Sequence, residues 1–261
     1  MTVLLVAVAA TSACDKNAVQ QIAGPQAGGA NVMFHNFAVG SPNVNFYVND
    51  VKTTGVGATG CYILTDANRE ACTAAGIEAT TGTAYGGAGA GAWYVDLAPG
   101  QITIQGRITA ATDKGLPISN AVTTIEQGKF YSFYQSGTYN TTTKTADSFV
   151  IEDPIPPVNF GTAYVRFVHA SGNANPMTLY ATNTTSLEEI AVGSEVTYKT
   201  AGTYVAVPAG TYNLAARYAG TTTNVFTRAS VSFFNGRVYT ITARGNVGTA
   251  STMLLDNTTN R

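Results

Sequence analysis

Tyr94-Val95-Asp96-Leu97-Ala98-Pro99-Gly100-Gln101-Ile102-Thr103-Ile104 returns in the second half of the chain as Tyr204-Val205-Ala206-Val207-Pro208-Ala209-Gly210-Thr211-Tyr212-Asn213-Leu214. Apolar residues alternate on both sides of a Pro/Gly turn, where Pro presets φ and Gly accepts positive φ. The pattern predicts strand, turn, strand: a hairpin in each copy. Arg107 and Arg217 follow at the same distance from their Tyr. Further on, Gln127-Gly128-Lys129-Phe130-Tyr131-Ser132 answers Asn235-Gly236-Arg237-Val238-Tyr239-Thr240, and near the start Val32-x-Phe34 with Asn36 answers Val165-x-Phe167 with His169. Three matches in one order indicate a duplicated unit. Asn235-Gly236 is the strongest two-residue hairpin signal, flanked by Val231, Phe233, Val238 and Ile241. No window of a dozen residues holds a helical period free of Gly and Thr clusters, so the expected class is all-β.

Composition agrees. Charged residues make up 11% of the 261, less than half the usual ~25%, while 27 Gly, 14 Tyr and 11 Phe accompany abundant Thr. β-branched and aromatic side chains suit a pleated, half-buried surface, and Gly supplies its turns. A net charge of −1 provides no basic stripe to neutralise phosphates, so nucleic acid is not an expected partner. Hydrophobic residues at 45% argue against disorder.

The amino terminus points outside the cytoplasm. Val3-Leu4-Leu5-Val6-Ala7-Val8-Ala9-Ala10 is too short to cross a bilayer and is followed by Thr11-Ser12-Ala13-Cys14. This resembles the lipobox of bacterial lipoproteins, which implies cleavage after Ala13 and acylation of Cys14. Thr11 replaces the usual Leu, and no Lys or Arg precedes the apolar run, as if part of the signal were missing. Secretory cleavage without lipid is the alternative. Residues 1–13 are then a signal peptide and 14–28 a tether. The remaining cysteines, Cys61 and Cys72, are expected to form a disulfide, worth on the order of 3 kcal/mol for a loop of about a dozen residues. That loop lies in an insertion at about 55–91 within a first domain spanning 29–153. Glu152-Asp153-Pro154-Ile155-Pro156-Pro157 opens a semi-rigid spacer at 154–160. A second domain follows at 161–252, then a tail at 253–261.

Tyr164-Val165-Arg166-Phe167-Val168-His169-Ala170-Ser171 and Asn175-Pro176-Met177-Thr178-Leu179-Tyr180 resemble the opening of the DUF4397 domain. Val205-x-Val207-Pro208-Ala209-Gly210-Thr211-Tyr212-Asn213-Leu214 and Gly236-Arg237-x-Tyr239-Thr240 resemble its middle and end. The first copy keeps Asn43-Val44-Asn45-Phe46-Tyr47-Val48 and the Ala98-Pro99-Gly100 turn but lacks His-Ala-Ser. The resemblance implies two tandem immunoglobulin-like antiparallel β-sandwich domains in a secreted or lipid-anchored bacterial protein. It carries no catalytic residues.

Chemistry is sparse. His35 and His169 occupy inequivalent positions without zinc-ligand spacing, and a role for His169 in turn hydrogen bonding is expected. Gly87-x-Gly89-x-x-Ala92 precedes a strand, Trp93-Tyr94-Val95, and reads as a glycine loop instead of a dinucleotide fingerprint. The adjacent pairs Glu188-Glu189 and Glu152-Asp153 point to opposite faces of an extended chain, unlike a glycosidase pair. Glu152, Asp153 and Asn159 have oxygens suited to calcium. In Phe130-Tyr131-Ser132-Phe133-Tyr134, aromatic rings fall on both faces of one strand, which places some at a domain interface, under a loop, or on the surface facing a sugar or protein. The expectation is a non-enzymatic, cofactor-free, metal-free envelope lipoprotein for adhesion, surface organisation or ligand binding. The alternatives are a carbohydrate-binding module, a surface-layer or filament subunit, and a hydrolase.

Overall fold

The computed structural model describes residues 28–54 and 82–261. They form an all-β fold with no α-helix among the described residues. The first half contains β1 (Ala30–Asn36), β2 (Val44–Val48), β3 (Val51–Lys52), β4 (Gly87–Ala88), β5 (Val95–Leu97), β6 (Gly100–Ile108), β7 (Pro117–Ile125), β8 (Phe130–Asn140) and β9 (Thr145–Glu152). The second contains β10 (Ala163–His169), β11 (Met177–Asn183), β12 (Glu189–Ala191), β13 (Val205–Val207), β14 (Gly210–Tyr218), β15 (Phe226–Phe233), β16 (Val238–Arg244) and β17 (Leu254–Thr259).

The duplication is visible strand by strand. One sheet of the first half runs β4-β1-β8-β9 with β5 also on β1, and its counterpart runs β13-β10-β16-β17. The other sheets run β3-β2-β6-β7 and β12-β11-β14-β15. Pairing is antiparallel except for β1 with β8 and β10 with β16, which are parallel in both halves. Residues 253–261, expected as a tail, contain β17, whose Leu255 is fully buried opposite Ala243.

Both signals read as hairpins are turns, but they join different sheets. The turn at Pro208-Ala209-Gly210 leads from β13, paired with β10, to β14, paired with β11; Pro99-Gly100 does the same between β5 and β6. Asn235-Gly236 links β15 to β16 in the other sheet, and Gln127-Gly128 likewise links β7 to β8. A tyrosine fastens each crossing: Tyr239 Oη accepts from Phe234 N at 3.2 Å, and Tyr131 Oη from Glu126 N at 3.1 Å. Crossing, unlike folding back, lets the alternating residues of both strands enter one core.

Each half has its own core between its two sheets. In the first, Phe34 stacks on Phe46 at 5.4 Å and Phe133 meets Phe46 edge-on at 5.5 Å. Truncating a ring buried like Phe34 costs about 3–5 kcal/mol. A third cluster of Phe37, Tyr134, Phe149, Val168 and Ala170 joins the halves. The sheet containing β1 and β8 therefore lies against the one containing β10 and β16, and these strands are buried on both faces. This accounts for the aromatic rings on both sides of Phe130–Tyr134: Tyr131 and Phe133 fill the core of their own half, and Tyr134 fills the seam. Residues 154–160 do not hold the halves apart, since the sheets on either side are in direct contact.

Candidate functional site

The seam is polar at its centre. Asp153, at the end of β9, and Arg166, on β10, are each about 1% exposed and form an ion pair. Arg166 Nε donates to Thr240 Oγ1 at 3.0 Å, and Thr240 donates to Asn260 Oδ1 at 2.7 Å. Asn260 Nδ2 donates to Tyr94 Oη at 2.8 Å, and Tyr94 donates to Asp153 Oδ2 at 2.7 Å, closing a ring of five side chains. Ser132 Oγ also donates to Asp153 Oδ2, at 2.7 Å, and Arg166 Nη1 donates to Glu152 O at 3.0 Å. The Tyr204 ring lies 4.8 Å beneath the guanidinium. Burial opposes the charge on Arg166, but Asp153 beside it prevails and its pKa is raised. Burial, then the Asp153 charge, pushes the Tyr94 phenol up, so it remains a donor.

This ring underlies a cleft of about 530 Å³ built by both halves, whose lining includes Trp93, Tyr94, Arg237, Asn257, Asn260 and Arg261. Tyr94 and Asn260 thus belong to ring and cleft alike. Trp93 projects beside it, 76% exposed. It follows three residues with positive φ, Ala90 (51°), Gly91 (68°) and Ala92 (63°). Left-handed geometry at the two alanines costs roughly 1–2 kcal/mol each and is held only where surrounding structure enforces it. The wall opposite comes from the end of β17 and the β15–β16 crossing, where Arg237 is exposed. Arg261 Nη1 donates to Pro156 O at 2.6 Å, while its Nε and Nη2, and Asn257 Oδ1, are buried without a hydrogen-bond partner.

The residues singled out by sequence fall elsewhere. Cys14, Cys61 and Cys72 lie outside the described residues. The oxygens considered for calcium diverge: Glu152 pairs with Lys129 at 3.2 Å, Asp153 is committed to the ring, and Asn159 Oδ1 accepts from Gly161 N at 2.9 Å. Among the described residues no three metal-ligating side chains converge. Glu189 pairs with Arg217, which lowers its pKa, and the neighbouring Glu188 is exposed. His169 accepts from Ser171 N through Nδ1 at 3.3 Å, and its Nε2 lies 3.1 Å from Asn175 O, the local bonding expected of it. His35 stacks on Tyr134 at 4.7 Å; burial, then the Arg166 charge, lowers its pKa to about 3.

The domain of unknown function DUF4397 matches at residues 30–180 and again at 163–261. The chain belongs to the DUF4397 family. The second match covers the second half, while the first begins with β1 and runs on into β11, so the two overlap at 163–180. No curated protein matches this DUF4397 chain. Among solved structures it is similar to the Bacillus anthracis TIE protein, 12% identical, over 84% of this chain and 34% of that one, with a TM-score of 0.22. The chain thus spans about a third of that protein, and so low a score carries no argument.

Sequence reading did not find the cleft. Its one available signal was Trp93 directly after the run Gly86-Gly87-Ala88-Gly89-Ala90-Gly91, which reads as a loop without indicating what the loop presents.

Proposed function

We propose that this DUF4397 protein is a non-catalytic cell-envelope lipoprotein. In this reading two immunoglobulin-like β-sandwich domains are held outside the cell by acyl chains on Cys14 and present one rigid surface for adhesion, surface organisation or ligand binding. The observation that carries it is the seam: a buried ion pair inside a closed hydrogen-bond ring, flanked by Tyr134, Phe149 and Val168. Such a joint keeps loops from both halves in fixed relation, which suits presentation of a surface more than domain closure around a substrate. Of the acids and imidazoles weighed for catalysis, Glu152, Asp153, Glu189, His35 and His169 are occupied by structural partners or enclosed by packing, and Glu188 is exposed.

Mass spectrometry of the native amino terminus, with fractionation of the producing cells, tests the reading. A diacylglyceryl-modified Cys14 as first residue, recovered with membranes, is expected, and Cys14→Ser should release the protein into a soluble fraction. An unprocessed amino terminus on a cytoplasmic protein would refute it.

A further inference from the structure

We propose that the Trp93 cleft binds a carboxylate-bearing sugar, such as a uronic acid residue of an acidic polysaccharide. The inference deepens the ligand-binding part of the function above and does not depend on the lipid anchor. Charge is the first argument. Arg107, Arg166, Arg217 and Arg244 are each paired with a carboxylate. Among the described arginines, Arg228, Arg237 and Arg261 are not in ion pairs, and two of these three line this cleft, which has no Asp or Glu in its lining. In a chain so sparing of charge, that makes the cleft a local positive site with an exposed guanidinium at Arg237. A guanidinium fork matches a carboxylate in geometry as well as in sign.

Shape and surface chemistry are the second argument. The 76% exposed indole of Trp93 presents a flat, electron-rich face, against which the slightly positive C–H bonds of a pyranose ring pack. Thr258 and Thr259 add neutral hydroxyl-bearing side chains to the same lining, beside Tyr94 and Asn260 of the buried ring. A mostly apolar cleft with a few fixed polar groups is the common form of a small-ligand site. The buried ring below holds Tyr94 and Asn260 in place before any ligand arrives.

The test uses the full-length chain and isothermal titration with a hexamer of α-1,4-linked galacturonate, its fully methyl-esterified form, and poly-glutamate as a competitor. Binding of the free acid is expected, weakened at least tenfold by esterification, by Trp93→Ala and by Arg237→Gln. Lys114→Gln, at an exposed position outside the cleft, should bind as the parent does. Circular dichroism should show both cleft variants folded, since both side chains are exposed. No binding of the free acid, equal binding of the ester, or parent-like affinity in either cleft variant would overturn the proposal. Displacement by poly-glutamate at equal carboxylate concentration would overturn its sugar component. None of these outcomes alters the amino-terminal mass or the fractionation result, so the two readings fail separately.

Discussion

Replacing Asp153 with Ala would leave the Arg166 guanidinium charged, buried and without its counter-ion, and would strip the acceptor from both Tyr94 and Ser132. Removing one partner of a buried pair typically costs 3–5 kcal/mol, and the side chains here are 0–1% exposed, so solvent screening gives no relief. Ser132 can rotate to another acceptor and Tyr94 borders the cleft, so their orphaned donors add little. The expected loss is therefore about 4 kcal/mol, or roughly 10 °C in Tm for a chain of this size. Urea titration followed by far-UV circular dichroism measures it. The double variant Asp153→Ala with Arg166→Met should be more stable than the sum of the single losses predicts, because neither charge is then stranded. A loss under about 1 kcal/mol for Asp153→Ala, or strict additivity in the double variant, would refute the account of the seam.

Three other outcomes follow from the same structure. His35, with a folded pKa of about 3 against an ordinary 6.5, takes up a proton more readily when unfolded; stability should therefore fall as pH drops from 6.5 towards 3, by roughly 1.4 kcal/mol per unit. His35→Leu should remove that part of the slope in urea midpoints compared across pH 7 to 4, and an unchanged slope would contradict it. Gly106→Ala would drive a methyl group into Gln135 Oε1 and Ser119 Oγ inside the first half, and chemical denaturation should show a loss of about 1–3 kcal/mol. For Cys61 and Cys72, alkylation of the unfolded but unreduced native protein should leave both unlabelled, whereas labelling of both would exclude the disulfide.

Much of the fold was legible because the duplicated segments carry their turn residues with them. Tyr204 to Leu214 and Tyr94 to Ile104 placed four strand segments correctly, and matched arginines reflect matched packing: Arg107 lies 4.5 Å over Tyr47 and Arg217 lies 4.6 Å over Tyr180. What a turn motif does not encode is its destination. Pro-Ala-Gly and Asn-Gly specify a reversal, while the choice between returning to the same sheet and crossing to the facing one is made by distant partners such as β10 and β16. The same limit concealed β17, whose Leu-Leu-Asp-Asn-Thr-Thr has a polar half because Asp256 pairs with Arg244 and Asn260, just beyond it, completes the ring. Asp153 read as an oxygen suited to calcium because its counter-ion, Arg166, is set by tertiary packing. The cleft combines residues from Met33 to Arg261, which no local pattern joins.

The two halves repeat one topology yet meet through unlike chemistry. Met33 stands where the second copy has Arg166, His35 where it has Val168, and Asn36 where it has His169, by the matched pairing of β1 with β8 and β10 with β16. Each copy has spent its second sheet face on the other, so neither offers a further copy the surface on which its sibling rests. Any further copy would have to be joined through a different face, by contacts unlike those of this seam.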